Sequence, residues 1–355
     1  MSHKLISSIN ELPDILKHQS WDAVISLGGT CQVAFQLKRL KLRSFSGPFD
    51  WLFSLEAPMV SKALESDFDG WLLKDNLHEE ASQTECRRIV DDKYSMIHQH
   101  IFPADKSFEE AYDEVKDTVD RRIGRLLSLK DKGDKDILFV RTNTSPEEAK
   151  VMGEVIRKKY GPNSYLLVIN HIKEHEVRML PQISDNVLCF ELFDENENTG
   201  QRWQGFDAHW DIVFANVALK GNDALELDKD VLFDGCYSYE QDAEGNGFRW
   251  TMREATVNVT RFAGKTISLS LKGFGNNKLY ITDDSGRRLH SCTFGKVSYL
   301  EYLRSHQRYV GERVFDISLN PEVTTLHFRL RDEAGEVPGD PRKFGVCIYG
   351  ISAKA

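Results

Sequence analysis

The chain has 355 residues, 41% of them hydrophobic and 28% charged, which gives enough apolar material for packed cores and enough length for about two domains. Its 46 Lys and Arg against 55 Asp and Glu leave a net charge of −9, which argues against a protein that tracks nucleic-acid phosphates and keeps sugars, peptides and small metabolites as partners. Apolar runs such as Ile137–Val140 and Tyr165–Ile169 fall far short of the roughly 18 residues a spanning helix needs, so no membrane span is expected.

The N-terminus, MSHKLISSINELPDILKHQS, carries scattered charges and no apolar block before a cleavage site, so it does not read as a secretory signal, and the expected location is the cytoplasm. Cysteines 31, 86, 189, 236, 292 and 347 are too evenly spread for a disulfide framework and form no CxxC pair. The run Ala23–Leu27 predicts a buried strand that ends in a tight turn at Gly28-Gly29. Val33, Leu37 and Leu40 then recur at helical spacing, marking a helix that begins near Cys31. Phe108, Ala111, Val115, Val119, Ile123 and Leu126 predict a five-turn helix with Arg121, Arg122 and Arg125 in its last third.

Further strands are expected at Ile137–Val140, Tyr165–Ile169 and Val187–Phe190, with a helix over Pro146–Lys159 between the first two. Strands apolar on both faces, separated by helices, imply an α/β domain over residues 1–222, built on a mostly parallel sheet with helices on both faces. The segment Lys220–Lys229 reads as a linker. From Leu232 onward short alternating strands follow one another, with turn clusters at Gly273–Asn277 and Asp283–Gly286. Residues 228–355 are therefore expected to form an antiparallel β-sandwich of jelly-roll type.

The segment Ser26-Leu27-Gly28-Gly29-Thr30-Cys31-Gln32 puts a cysteine at the mouth of a helix. A helix N-terminus stabilises thiolate, so the Cys31 pKa is expected to fall, and the backbone of Gly28, Gly29 and Gln32 is a candidate oxyanion or substrate cradle. The plain alternative is a small core residue at a strand–helix turn. Ligands of open α/β sheets gather beyond the carboxyl ends of the strands, and the residues placed there are Cys31, then Arg141, Thr142 and Asn143, then Asn170 and His171.

This makes His171 the best candidate base for the Cys31 thiol, with Arg141 and Asn143 placed to orient substrate. His98 and His100 would share one face of a strand, yet no third residue at ligand spacing accompanies them, so no metal is expected. His100 is the second choice of catalytic histidine. Asp50 is read either as orienting a histidine or as a cap, and His209 as structural.

The segments SLGGTCQVAFQLKRLKLRSFSGPFDW (26–51), His100-Ile101-Phe102, RRIGRLL (121–127), ILFVRTN (137–143), LLVINH (166–171) and WQGFDAHWDIVF (203–214) together resemble an uncharacterised bacterial family of papain-like cysteine peptidases. The resemblance implies a three-layer papain-like or Rossmann-like domain and a thiol hydrolase with Cys31 as nucleophile and a histidine partner, without choosing between His100 and His171. Gly-Thr-Cys-Gln is also similar to the Asn-Cys-Gln turn of capsule-polysaccharide biosynthesis proteins, with Thr30 in place of asparagine. That similarity implies a surface-glycan O-acyltransferase using the same Cys-His pair and a coenzyme A thioester as donor; otherwise no cofactor is expected.

Three segments of the second half, 233–240, 248–250 and 342–348, resemble β-sandwich modules of glycan-processing enzymes. They imply a candidate carbohydrate-binding domain in which Tyr237, Tyr239 and Trp250 stack on sugar rings or fill the core. The expected substrate is a peptide or a carbohydrate. A non-catalytic carbohydrate- or partner-binding protein is the reading from another class, and the sequence does not set the oligomeric state.

Overall fold

The computed structural model describes residues 3–18, 20–82, 86–130, 134–196, 198–273, 276–296, 309–332, 335–337 and 339–354. The chain divides into two compact units, one of Met1–Glu11 with Ser20–Phe214 and one of Leu12–Gln19 with Ala215–Ala355.

The elements of the first unit are β1 (Lys4–Leu5), β2 (Ala23–Ser26), α1 (Gln32–Arg39), β3 (Leu52–Phe53), α2 (Ala57–Glu65), β4 (Leu77–Glu80), β5 (Arg88–Asp91), β6 (Met96–His98), α3 (Phe108–Leu127), β7 (Ile137–Thr142), α4 (Pro146–Tyr160), β8 (Ser164–Ile172), β9 (Val177–Met179), β10 (Val187–Phe193) and α5 (Asp207–Val213). Its main sheet has the order β1-β9-β10-β8-β7-β2. The pairs β10/β8, β8/β7 and β7/β2 are parallel, while β9 and β1 continue the sheet antiparallel. The expected parallel sheet is thus present as four strands, extended at one edge by two antiparallel ones.

Side chains of a strand alternate between faces, and here both sets are buried. Ile25, Phe139, Val168 and Cys189 join a core cluster with Val60, Leu64, Val115, Ile123, Met152 and Ile156 of α2, α3 and α4. The alternate residues Val24, Leu138, Leu167 and Phe190 are equally buried. No residue of α1 joins that cluster, and α1 packs against β2 and β7. Helices α3 and α4 start where the sequence supplies Ser-x-x-Glu: Ser107 with Glu110 and Ser145 with Glu148 each form a reciprocal capping box.

One part of this unit differs from the sequence reading. Residues 52–98 contribute a separate antiparallel sheet of order β3-β6-β5-β4. Its strands are two to four residues long and partly exposed, so they lack the continuous apolar run that reveals the main sheet.

The second unit is antiparallel. Its elements are β11 (Phe233–Cys236), β12 (Gly247–Asn258), β13 (Thr266–Gly273), β14 (Asn277–Thr282), β15 (Arg288–Lys296), β16 (Glu312–Ser318), β17 (Thr325–Leu330) and β18 (Val346–Ala353). They follow the order β15-β14-β17-β12-β18-β13-β16, with β11 also paired to β12. Strand β12 joins two halves: Arg249 and Trp250 pair with β18, while Glu254–Asn258 pair with β17. Alternating inward residues such as Val257, Leu269, Ile281, Leu326 and Ile348 make its core.

Candidate active site

Strand β2 ends at Ser26, and Gly28 and Gly29 turn the chain with φ of 72° and 98°, a left-handed backbone that glycine alone adopts freely. Cys31 follows as the residue that opens α1, with φ −62° and ψ −15° and no side-chain cap bond. The thiol is buried, at 5% exposure. Burial pushes its pKa up to about 11, with the Asp50 charge acting in the same direction and the cysteine's own backbone amide opposing. The thiolate expected from the helix N-terminus is therefore corrected: the short helix and one amide do not offset loss of water around the sulfur. Among the described residues Cys31 forms no disulfide, and no hydrogen bond joins it to an imidazole.

Gly28 and Gly29 do not present free amides. The Gly29 N–H donates to Ser54 Oγ at 2.9 Å and the Gly28 N–H to Ser26 Oγ at 3.2 Å. Gln32 is 1% exposed, its Nε2 donating to the Arg202 carbonyl at 3.0 Å, while its Oε1 is buried without a partner. One turn along the helix, Gln36 Nε2 donates to the Gln204 carbonyl and to Asp207 Oδ1, both at 2.7 Å. The polar stripe of α1 thus holds the 202–207 segment over the helix.

Arg141 is corrected outright. Strand β7 runs through Thr142, so Arg141 lies within the strand and is fully buried. Its guanidinium donates to the Leu27 carbonyl at 2.8 Å, to Ser54 Oγ at 3.0 Å, to the Ser54 carbonyl at 2.5 Å and to Thr144 Oγ1 at 2.9 Å. Burial lowers its pKa to about 10, with the Glu148 charge opposing. It is the clamp of the Cys31 turn, with no room for a substrate anion. Asn143, just past the strand with φ 56°, is exposed at the carboxyl end of β7.

Asp50 is 2% exposed. Its Oδ2 accepts from Arg43 Nε at 2.9 Å, from the second Arg43 nitrogen at 2.7 Å and from the Gly47 N–H at 2.9 Å. It closes its own turn and pairs with arginine instead of orienting a histidine.

Strand β8 continues through Ile172, so His171 sits inside it opposite Leu192 of β10. By alternation it shares a face with Leu167 and Ile169, opposite the face of Leu166 and Val168 that meets α2–α4. Burial lowers its pKa, the Asp194 charge and a backbone bond at Leu192 opposing, with Arg202 lowering it further. Its Nδ1 is buried without a hydrogen bond among the described residues. Asp194, the first residue after β10, accepts from Arg202 at 2.9 Å and 2.5 Å. The apolar run Val187–Phe190 predicts a strand three residues shorter than the one present, so Asp194 does not stand out in the sequence as its end.

The strand Met96–His98 ends at His98, so His98 and His100 do not share a face of it. His98 is 1% exposed, its pKa lowered to about 3 by burial and by Arg122, and its Nε2 has no partner. His100 is exposed and lines a cavity of about 460 Å³ with Arg122, Asp105 and Lys106. His209 accepts the Phe193 N–H on Nδ1 at 3.3 Å and packs edge-on to Phe206, a structural placement.

In the second unit Tyr237 and Trp250 are half-buried against Phe344, at ring separations of 5.8 Å and 5.0 Å. A cavity of about 930 Å³ lies elsewhere, against β12, β14 and β17, with Tyr280, His327, Thr256 and Thr282 in its lining.

The fold and site define an α/β unit whose first parallel strand delivers a cysteine at a glycine turn before a helix. Residues 22–188 match the family model described as "Putative papain-like cysteine peptidase (DUF1796)". The "Uncharacterized protein R408" of Acanthamoeba polyphaga mimivirus is 22% identical over 217 residues, 54% of this chain and 96% of that protein. Solved structures with detectable likeness include CsCBM6-3 from Clostridium stercorarium in complex with cellobiose, at 9% identity, 34% of this chain, 86% of that chain and a TM-score of 0.22. A family 43 arabinoxylan arabinofuranohydrolase from Bacillus subtilis covers 50% of this chain and 33% of its own at 10% identity and a TM-score of 0.25. TM-scores this low carry no weight for fold or ligand. No helix among the described residues is long and apolar enough to cross a membrane.

Proposed function

We propose that the first unit is a thiol-dependent acyl-transfer enzyme of the papain-like hydrolase class, with Cys31 as nucleophile, His171 as base and Asp194 as the nearby carboxylate whose charge favours the imidazolium. The observation that carries the reading is the position of Cys31, on a turn clamped from below by Arg141 and Ser54, within the segment that matches the cysteine-peptidase family model. His171 and Asp194 support it by standing at the carboxyl end of the same sheet, on the face away from α2–α4. Hydrogen bonds run from Gln32 to the Arg202 carbonyl and from the Arg202 guanidinium to Asp194, whose charge acts on His171. Two strand spacings, roughly 10 Å, part the backbones of β2 and β8, so the side chains must lean toward each other over substrate.

A thiol whose pKa is raised and an imidazole whose pKa is lowered both rest uncharged, so in this reading the proton moves during attack. The Sγ–H proton passes to His171 as the sulfur–carbon bond forms; the imidazolium then protonates the leaving group, and the acyl-thioester is discharged to water or to a hydroxyl. Intact-mass spectrometry after exposure to acetyl-coenzyme A or p-nitrophenyl acetate tests this. The acetyl adduct is expected on Cys31, absent in Cys31→Ser and formed roughly 10²–10⁴-fold more slowly in His171→Asn. Equal rates with and without the imidazole, or no adduct from either donor, would overturn it.

The glycan version, in which a sugar hydroxyl accepts the acyl group or the chain binds carbohydrate without catalysis, draws on the 930 Å³ cavity. A row of cross-strand partners, Asp234, Thr256, His327, Thr282 and Arg288, runs across it. Hydroxyls, an imidazole and the Tyr280 ring suit a polyhydroxylated ligand. A glycan array with wild type and Tyr280→Ala decides it: sugar binding lost in the variant supports this version, and an array without signal removes it.

A further inference from the structure

The arginine-rich end of α3 is not used by the Cys31–His171 reading, and among the described residues Arg122 there has no anionic partner. Arg122 is half-buried and lines the 460 Å³ cavity, yet it makes no ion pair or hydrogen bond among the described residues. The charges it feels most are Asp50, already bonded to Arg43, and three other cations, Arg43, Arg125 and Arg121. Within the cavity Lys106 is paired to Glu114 at 3.0 Å, while among the described residues Asp105 and His100 make no hydrogen bond or ion pair. Behind it His98 is buried with its Nε2 unpartnered. A desolvated guanidinium fork left open inside a cavity, in a chain of net charge −9, is an arrangement that an oxyanion completes through two parallel N–H bonds.

We infer that Arg122, with His100 beside it, forms a subsite for an oxyanion, the carboxylate or phosphate of a small ligand. The cavity volume suits a metabolite-sized group. Asp50 lies within electrostatic reach of both Arg122 and Cys31, so the subsite would hold the anionic end of a substrate acylating the thiol. That connection rests on the acyl-transfer reading; the anion site itself does not.

Isothermal titration of the full chain with inorganic phosphate and, separately, with acetate provides the test. Wild type is expected to bind one of them at millimolar concentration; a phosphate-only response identifies a phosphoryl ligand and an acetate-only response a carboxylate. Arg122→Gln is expected to weaken binding at least tenfold. Arg122→Lys, which keeps the charge and preserves folding should the glutamine variant fail, is expected to lose most of it with the fork. Arg121→Gln, removing an exposed arginine bonded to Thr118, is expected to leave it unchanged. Absence of binding by both anions, or an equal effect of the Arg121 and Arg122 variants, would overturn the subsite. Anion binding retained in Cys31→Ser beside a wild type that forms no acetyl adduct would sink the catalytic reading while the subsite stands.

Discussion

Arg141 and Ser54 are joined twice, the guanidinium donating to both the hydroxyl and the carbonyl of the serine, and the same hydroxyl accepts the Gly29 amide. The clamp fixes the turn that carries Cys31 from β7, the immediate neighbour of β2. Removing it leaves the Leu27 and Ser54 carbonyls buried and unpaired. Arg141→Met is expected to cost roughly 2–5 kcal/mol of stability, and Arg141→Lys nearly as much because a compact ammonium with three donors cannot reach the four acceptors that the guanidinium spans. Urea titration followed by circular dichroism measures it; a loss below about 1 kcal/mol would show that the clamp is dispensable.

Gly29 faces Thr142 so closely that an added Cβ would meet the Thr142 side-chain and carbonyl oxygens, the latter at 2.6 Å. With φ at 98° the backbone would be strained as well. Gly29→Ala should destabilise by roughly 2–5 kcal/mol, whereas Gly286→Ala, open around its Cβ but also at positive φ, should cost only about 1 kcal/mol. Thermal denaturation of the two variants side by side checks the difference.

The Cys31 thiol rests protonated at neutral pH. Alkylation by iodoacetamide should be slow at pH 7 and climb toward pH 11, following the pKa of about 11. A plateau reached by pH 8, measured by peptide mapping of Cys31, would mean a thiolate already present in the free protein.

His98 is held neutral when folded, its pKa at about 3 against 6.5 when exposed. Between those values the unfolded chain binds a proton that the folded one refuses, so stability falls as the solution is acidified from pH 6.5 toward 3. The slope from this one histidine is about 1.4 kcal/mol per pH unit. His209, lowered to about 4, acts in the same direction. Equilibrium unfolding at stepped pH should give a shallower dependence in His98→Gln; an unchanged slope would rule out His98 as a source.

The main sheet was legible because its strands are buried on both faces and read as unbroken apolar runs. The capping boxes of α3 and α4 are equally visible as Ser-x-x-Glu. The site was harder. The turn carrying Cys31 is announced by its glycines, but Arg141 and His171 could not be recognised as internal to their strands, since a polar residue at the edge of an apolar run looks like the start of a loop. Asp194 was hidden by Glu191, whose charge broke the run before the strand had ended. Arg122 stood in plain sight, yet its lack of a partner is a property of the packing around α3, which no spacing in the chain reveals.

In the second unit β12 hydrogen-bonds to β18 through its first residues and to β17 through its last. A strand shared in this way ties the fates of both halves together: neither can open alone without tearing the other's ladder. The unit should therefore come apart in one concerted event, with the amides of Glu254–Asn258 among the last to trade their hydrogens for deuterium.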